Sequence, residues 1–429
     1  MHKFVKSPLA IALTASLLAT AHTTMAAGFQ IGEHSAAGIG RANAGDGAIA
    51  DDASVIASNP ALMTQLKQPT LTVAATYVEP DVSVNGTKNT NAAGNNAGDQ
   101  DASQSDVVPS VTIPSIFYVH PINQKVSLGI AAFTNFGLKS QYDDDFGASD
   151  IADTASITTI NINPSIAYQL NDTVSLGFGV NYLIASAEFA TSLSNSIAPG
   201  YEAYEGAELL GLEGDGSDYG WNAGIAWQVN PTTMIGASYR SGFEVTLEGD
   251  ATSDLNPAYN ADGELVLDLP ELANLSIAHQ YNDQLQLSAS IDYTNWSTFE
   301  KLEGDIDGVG KVHIKDENWT EAFRYSVGAT YQLNPKVKLR AGLAYDESPV
   351  EAEDRSLSIP DSNRVWYSTG ANFAINEMFD VDVAYAYIDG EEVDVTDEFS
   401  SPTLGLNNTF TGTSEGNANI VSVQLNSRF

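Results

Sequence analysis

From about Pro69 to the C-terminus, apolar and polar positions alternate with a period of two. In "LQLSASIDY", Leu285, Leu287, Ala289, Ile291 and Tyr293 share one face, while Gln286, Ser288, Ser290 and Asp292 share the other. "VKLRAGLAYD" sets Val337, Leu339, Ala341, Leu343 and Tyr345 against Lys338, Arg340, Gly342, Ala344 and Asp346, and "FDVDVAYAY" and "VSVQLNSRF" repeat the pattern. Such alternation over about ten residues predicts strands with one apolar and one hydrated face.

Six short turns centred on Asn123, Asn171, Asn230, Asn282, Asn334 and Asn376 join these strands in pairs, with successive turns 42 to 59 residues apart. Asn suits them because it tolerates left-handed backbone, and the neighbouring Asp and Pro favour tight turns. The other connections are longer and rich in Asp, Gly, Ser and Asn, as in "TNAAGNNAGDQDASQSD". Six hairpins plus one strand leading in and one leading out predict an all-β, 14-stranded antiparallel transmembrane barrel with both termini on the short-turn side. Strand-end aromatics such as Tyr168, Trp227, Tyr281, Tyr293 and Trp296 are expected in its interfacial girdles. A soluble β-sandwich would have to cover its edge strands along the whole of this length.

Residues 1–26 carry Lys3 and Lys6, then "LAIALTASLLA", and end in small residues, which predicts a signal peptide cut before Ala27. After it no apolar window is long enough for a membrane-spanning helix. The chain has 55 Asp+Glu against 18 Lys+Arg and a net charge of −37. That acidity excludes nucleic acid as a partner, because phosphate would be repelled, and it suits soluble or cation-binding outer loops. Without cysteine there is no disulfide or thiolate metal site, and nothing else in the sequence calls for a cofactor.

With the apolar set facing lipid, Arg240, Arg324, Arg340 and Arg364 point inward together with Glu244, Asp292, Asp346 and Asp382. Enclosed charges require partners or water, so an ion-pair network is the first expectation and a site for an anionic ligand the second. Residues 27–68 alternate weakly, are rich in Gly and Ala, and are too few for a core of their own. The barrel interior is the surface available to them, which makes them a plug. Of the histidines after the leader, only His313 falls near the outer loops, and no nucleophile motif surrounds it, so no enzyme is expected.

The stretch "AGFQIGEHSAAGIGRANAGDGAIADDASVIASNPALM" resembles the N-terminus of the FadL family of outer-membrane long-chain fatty acid transporters. "YVEPDV", "TNFGL", "GWNAGI", "SYRSGFEV", "DESPV" and "RSLSIPDSNR" extend the resemblance over essentially the whole chain after the leader. It implies a hatch at 27–68 inside a barrel at 69–429, with Asn59, Pro60 and Ala61 where the hatch meets the wall. It further implies capture of a hydrophobic ligand at an outer groove, a pocket in the barrel, and sideways exit beside an inward kink in the third strand. Here that strand is 125–142, where alternation falters before Phe136 and Gly137; glycine inside a strand marks a bulge or kink, and a broken ladder is tolerable where it lines a cavity. A bulge without function is the alternative.

Capture falls to the loop "SIAPGYEAYEGAELLGLEG", where Tyr201, Tyr204, Leu209 and Leu210 suggest a short amphipathic helix, with local loop packing as the alternative. Phe29 is where ligand binding is expected to shift the hatch. Family members can hold a carboxylate with basic residues, but Thr191 and Thr320 stand at two of those places; either another cation such as Arg324 serves, or the ligand is less charged. The expected partners are a long-chain fatty acid or other hydrophobic ligand and outer-membrane lipid, around a monomer. An aromatic-hydrocarbon transporter of the same family and a general porin are the competing readings.

Overall fold

The computed structural model describes residues 28–92, 95–194, 202–401 and 404–429; the expected signal peptide and Tyr201 lie outside them. Fourteen strands form the wall: β1 (Thr70–Ala92), β2 (Val111–Pro121), β3 (Val126–Phe133), β4 (Thr154–Gln169), β5 (Val174–Ser192), β6 (Glu208–Asn230) and β7 (Thr233–Arg240) make one half. β8 (Leu272–Gln280), β9 (Leu285–Thr294), β10 (Ala322–Asn334), β11 (Val337–Asp346), β12 (Arg364–Ala374), β13 (Phe379–Gly390) and β14 (Leu406–Arg428) make the other. Each pairs antiparallel with the next, and β14 returns to β1 from Thr70↔Arg428 to Ala92↔Leu406. Closure leaves no strand edge unpaired at the base of the wall. Shorter strands such as Phe243–Thr252, Ala261–Leu269, Lys301–Ile306 and Gly310–Asp316 carry the wall beyond the membrane on the long-loop side.

All six short turns use Asn in the same way. The Oδ1 of Asn123, Asn171, Asn230, Asn282, Asn334 and Asn376 accepts the backbone N–H two residues on at 2.8–2.9 Å. None of the six is among the non-glycine residues with positive φ. Asn is therefore present for its side-chain acceptor, not for left-handed backbone.

Leu128, Ile130, Phe178, Leu275, Val327, Leu343 and Val423 are all exposed on the outer face, together with many like them. So continuous an apolar band belongs against lipid. Tyr168, Trp227, Tyr281 and Tyr331 stand exposed near the short turns, and Tyr219, Trp221 and Tyr345 at the other rim. Two expectations of facing fail, both where strands break. Trp296 is fully buried: β9 ends at Thr294, and the turn Trp296–Thr298 carries the chain inward. Glu244 is exposed, because the break at Ser241 and Gly242 shifts alternation by one and turns Phe243, Val245 and Leu247 inward.

Residues 28–66 lie within this ring. They contain α1 (Ala36–Ile39), α2 (Val55–Ser58) and the 3-10 turn Pro60–Gln65, with irregular backbone between. Irregular backbone still needs hydrogen-bond partners, and inward wall side chains supply them. Gly45 N–H donates to Ser290 Oγ at 2.7 Å, Gly47 N–H to Ser276 Oγ at 3.1 Å, and Ala36 N–H to Gln424 Oε1 at 2.9 Å. In return, Ser288, Arg324 and Ser115 donate to the carbonyls of Ala44, Ala42 and His34. The fit is close enough that a Cβ on Gly342 would stand 2.1 Å from the Arg41 carbonyl.

Candidate functional site

β3 stops at Phe133 and resumes as Gly137–Gln141. Against β4, Phe133 pairs with Asn161 and Gly137 with Thr158, so Thr134, Asn135 and Phe136 face two residues, a bulge of one. On the other side the β2–β3 ladder ends at Ile116↔Ala132. The N-terminal segment takes up the freed backbone: Ile31 N–H donates to Asn135 O at 2.7 Å, and Gly137 N–H to Phe29 O at 2.8 Å. Just past the last β2–β3 pair stands Pro114, which has no N–H to give a ladder and is typical of a strand edge. The sequence carries a further signal for the gap in "VTIPSIFY", where a proline stands inside an alternating strand.

Phe29, fully buried, forms a plug of aromatic rings over this break. Its ring centroid lies 4.5 Å from Trp296, 5.3 Å from Phe299, 5.6 Å from Trp319 and 6.4 Å from Phe136. Above the plug, toward the long loops, is an apolar cavity, partly open to solvent and lined by Leu138, Ile157, Phe189, Leu212, Leu247, Leu267, Phe299 and Ile359. Its apolar lining suits a hydrophobic chain rather than a polar solute. Among the described residues no Lys or Arg lines it.

Below the plug is a second chamber of mixed lining, whose polar members include His34, Asn43, Asp46, Asn135, Asn222, Arg240, Asp292, Arg324 and Asp346, beside Ile31, Leu272, Phe323 and Trp366. Arg324 is already engaged there: its guanidinium lies 4.7 Å from the Trp366 ring, donates to Ala42 O at 3.1 Å, and stands 3.9 and 4.0 Å from Asp292 and Asp346. Toward the short turns, Asp51 receives Arg41 at 2.6 Å, Arg340 at 3.3 Å and Lys338 at 3.8 Å. Asn59 is fully buried; its Oδ1 accepts Ala61 N–H at 3.1 Å, and its Nδ2 donates to Gly47 O at 2.8 Å and to Ile225 O of β6 at 3.0 Å. Pro60 opens the 3-10 turn, where a missing N–H costs nothing.

The expected amphipathic helix does not form over its described part. Glu202–Tyr204 is a single 3-10 turn, and Leu209 and Leu210 belong to β6, which pairs with β5 at Thr191↔Leu210. Alternation sends the two leucines to opposite faces, and Leu209 joins a small cluster with Leu193 and Leu406. Tyr204 is half exposed, and neither it nor the leucines line either cavity. Thr191 and Thr320 line neither cavity as well; Thr320 donates to Pro349 O. In the outer loops, Glu317 is buried beside Trp319, whose Nε1 donates to it at 3.0 Å, and burial pushes its carboxyl up to about 7.

The model of the family described as "Outer membrane protein transport protein (OMPP1/FadL/TodX)" matches residues 17–429. A long-chain fatty acid transport protein of Escherichia coli O6:H1 is 34% identical over 92% of this chain and 93% of its own. Outer membrane protein P1 of Haemophilus influenzae is 35% identical over the full length of both. The crystal structure of a Pseudomonas aeruginosa FadL homologue matches with a TM-score of 0.83 at 25% identity, covering 94% of this chain and all of that one.

Proposed function

Since this chain belongs to the outer membrane protein transport family (OMPP1/FadL/TodX), we propose that it carries long-chain fatty acids or similar hydrophobic molecules inward across the outer membrane. The observation that carries this reading is the stacking of three features along the barrel: an apolar cavity, a plug of rings around Phe29, and a wall broken at the backbone the plug itself completes. An acyl chain gains about 0.8 kcal/mol per buried methylene, so the cavity is a favourable first station. Displacing Phe29 together with Ile31 frees Gly137 and Asn135, and opens the break at Phe136 toward the membrane.

In this reading residues 27–68 are the hatch and 69–429 the barrel. Asn59, Pro60 and Ala61 hold the base of the hatch to β6. Arg324 clamps the hatch through Ala42 and leaves carboxylate binding to another group. Tyr204 offers an exposed ring at the outer rim, while Leu209 and Leu210 shape the strand beneath it. The chain works as a monomer without a cofactor and without catalysis.

The test is uptake of labelled oleate by cells lacking their own transporter. Expression of the wild type is expected to confer saturable uptake, and Asn59→Ala to reduce it; no gain on expression would sink the assignment. Uptake of toluene but not oleate would move the substrate class to aromatic hydrocarbons.

A further inference from the structure

The inward arginines are not equivalent. Arg41, Arg324, Arg340, Arg364 and Arg428 each have a carboxylate at ion-pair distance. Arg240 is buried and has none among the described residues. Its guanidinium donates to Asn181 Oδ1 and, at 3.0 Å, to Ala57 O, and lies 5.3 Å from the Phe133 ring. A buried charge with only neutral partners is costly, and an anion would relieve it.

A second donor stands beside it. Asn222 is the cross-strand partner of Arg240, is buried, and lines the same chamber. Its Oδ1 is occupied by the amides of Asn163 and Asn181, which fixes its orientation, and its Nδ2 has no partner. Of the chamber's own carboxylates, Asp46 pairs with Arg41, while Asp292 and Asp346 stand 3.9 and 4.0 Å from Arg324 and at ion-pair distance from no atom of Arg240. A chain of amides links the pair to the wall break: Arg240 to Asn181, Asn161 to Asn181 at 3.0 Å, and Asn161 to Asn135 at 2.6 Å.

We propose that Arg240 and Asn222 form an anion site that receives the carboxylate of a long-chain ligand below the plug, beside the side opening. The proposal rests on the transport reading above. Entry of the carboxylate draws the guanidinium from Asn181 and so loosens the amide chain that ends at Asn135. The apolar cavity holds the tail first, and the head group then finds its only unneutralised cation, among the described residues of the lumen, at the exit.

The experiment measures equilibrium binding of oleate and of oleyl alcohol to the purified full chain, with uptake by cells followed on the same variants. Arg240→Gln is expected to weaken oleate at least about tenfold, with oleyl alcohol within about twofold of wild type, and Arg240→Lys to fall between. Asn222→Asp is a second, isosteric variant that keeps the acceptor oxygen and supplies Arg240 with an internal carboxylate; the same selective loss is expected. Equal losses for both ligands would mean that Arg240 merely tethers Ala57 and Asn181, and unchanged oleate binding in Arg240→Gln would remove the site; either result overturns the proposal. Wild-type binding without any uptake would count against the transport reading instead.

Discussion

Single residues carry more than the strand pattern reveals. Gly342 is required because the Arg41 backbone passes where a side chain would stand. Gly342→Ala is expected to leave the barrel folded but unseat residues 28–66 at a cost of about 1–3 kcal/mol, raising ion conductance in planar bilayers. Glu317 makes a pH prediction. Its carboxyl is raised to about 7 when folded, against an ordinary 4.5, so the folded state favours the protonated form. The resulting stability is complete below the unfolded value and is lost as pH rises through about 7. Melting in detergent is expected to be higher near about pH 5 than near about pH 8, and Glu317→Gln to flatten that difference. Arg240 shows where reading a sequence stops. Its inward direction follows from parity, but its want of a carboxylate depends on which residues of β5, β6 and residues 28–66 surround it, and no local pattern encodes that.

At the scale of the element, periodicity is legible because it is local. Fourteen strands and six turns followed from alternation and Asn placement alone, and the reason for Asn was then corrected: all six serve as side-chain acceptors. Asn282→Asp is therefore expected to keep turn stability, while Asn282→Gly and Asn282→Ala each lose about 1 kcal/mol, read from urea unfolding in bilayers. Glu244 departs from parity because the two-residue break after β7 resets it, whereas Trp296 keeps the parity of inward Asp292 and Thr294 and follows the end of β9, so its place among the girdle aromatics has no support in the alternation. The break in β3 is legible in Phe136 and Gly137, and Pro114 of β2 is its counterpart across the gap, a link that only the strand pairing reveals. Deleting Thr134 removes the one residue in excess over β4. Oleate uptake is expected to fall sharply while the folded barrel keeps its electrophoretic mobility; undiminished uptake would show that the exit lies elsewhere.

Over the whole molecule, residues 28–66 are fastened in two manners. Val55, Ile56, Leu62 and Met63 sit in an apolar cluster with Phe117, Val119 and Phe133 of the wall. The stretch around Gly45, Gly47 and Asp51 is instead fastened by hydroxyls and ion pairs. Removing apolar contacts exposes surface to water at about 25 cal/mol per Å², whereas each hydrogen bond surrendered to water is replaced by another at a net loss of only about 0.5–1.5 kcal/mol. In the transport reading proposed above, the first part is the fixed heel and the second the part expected to shift, so the outer barrier would give way by the breadth of one molecule and reseal behind it.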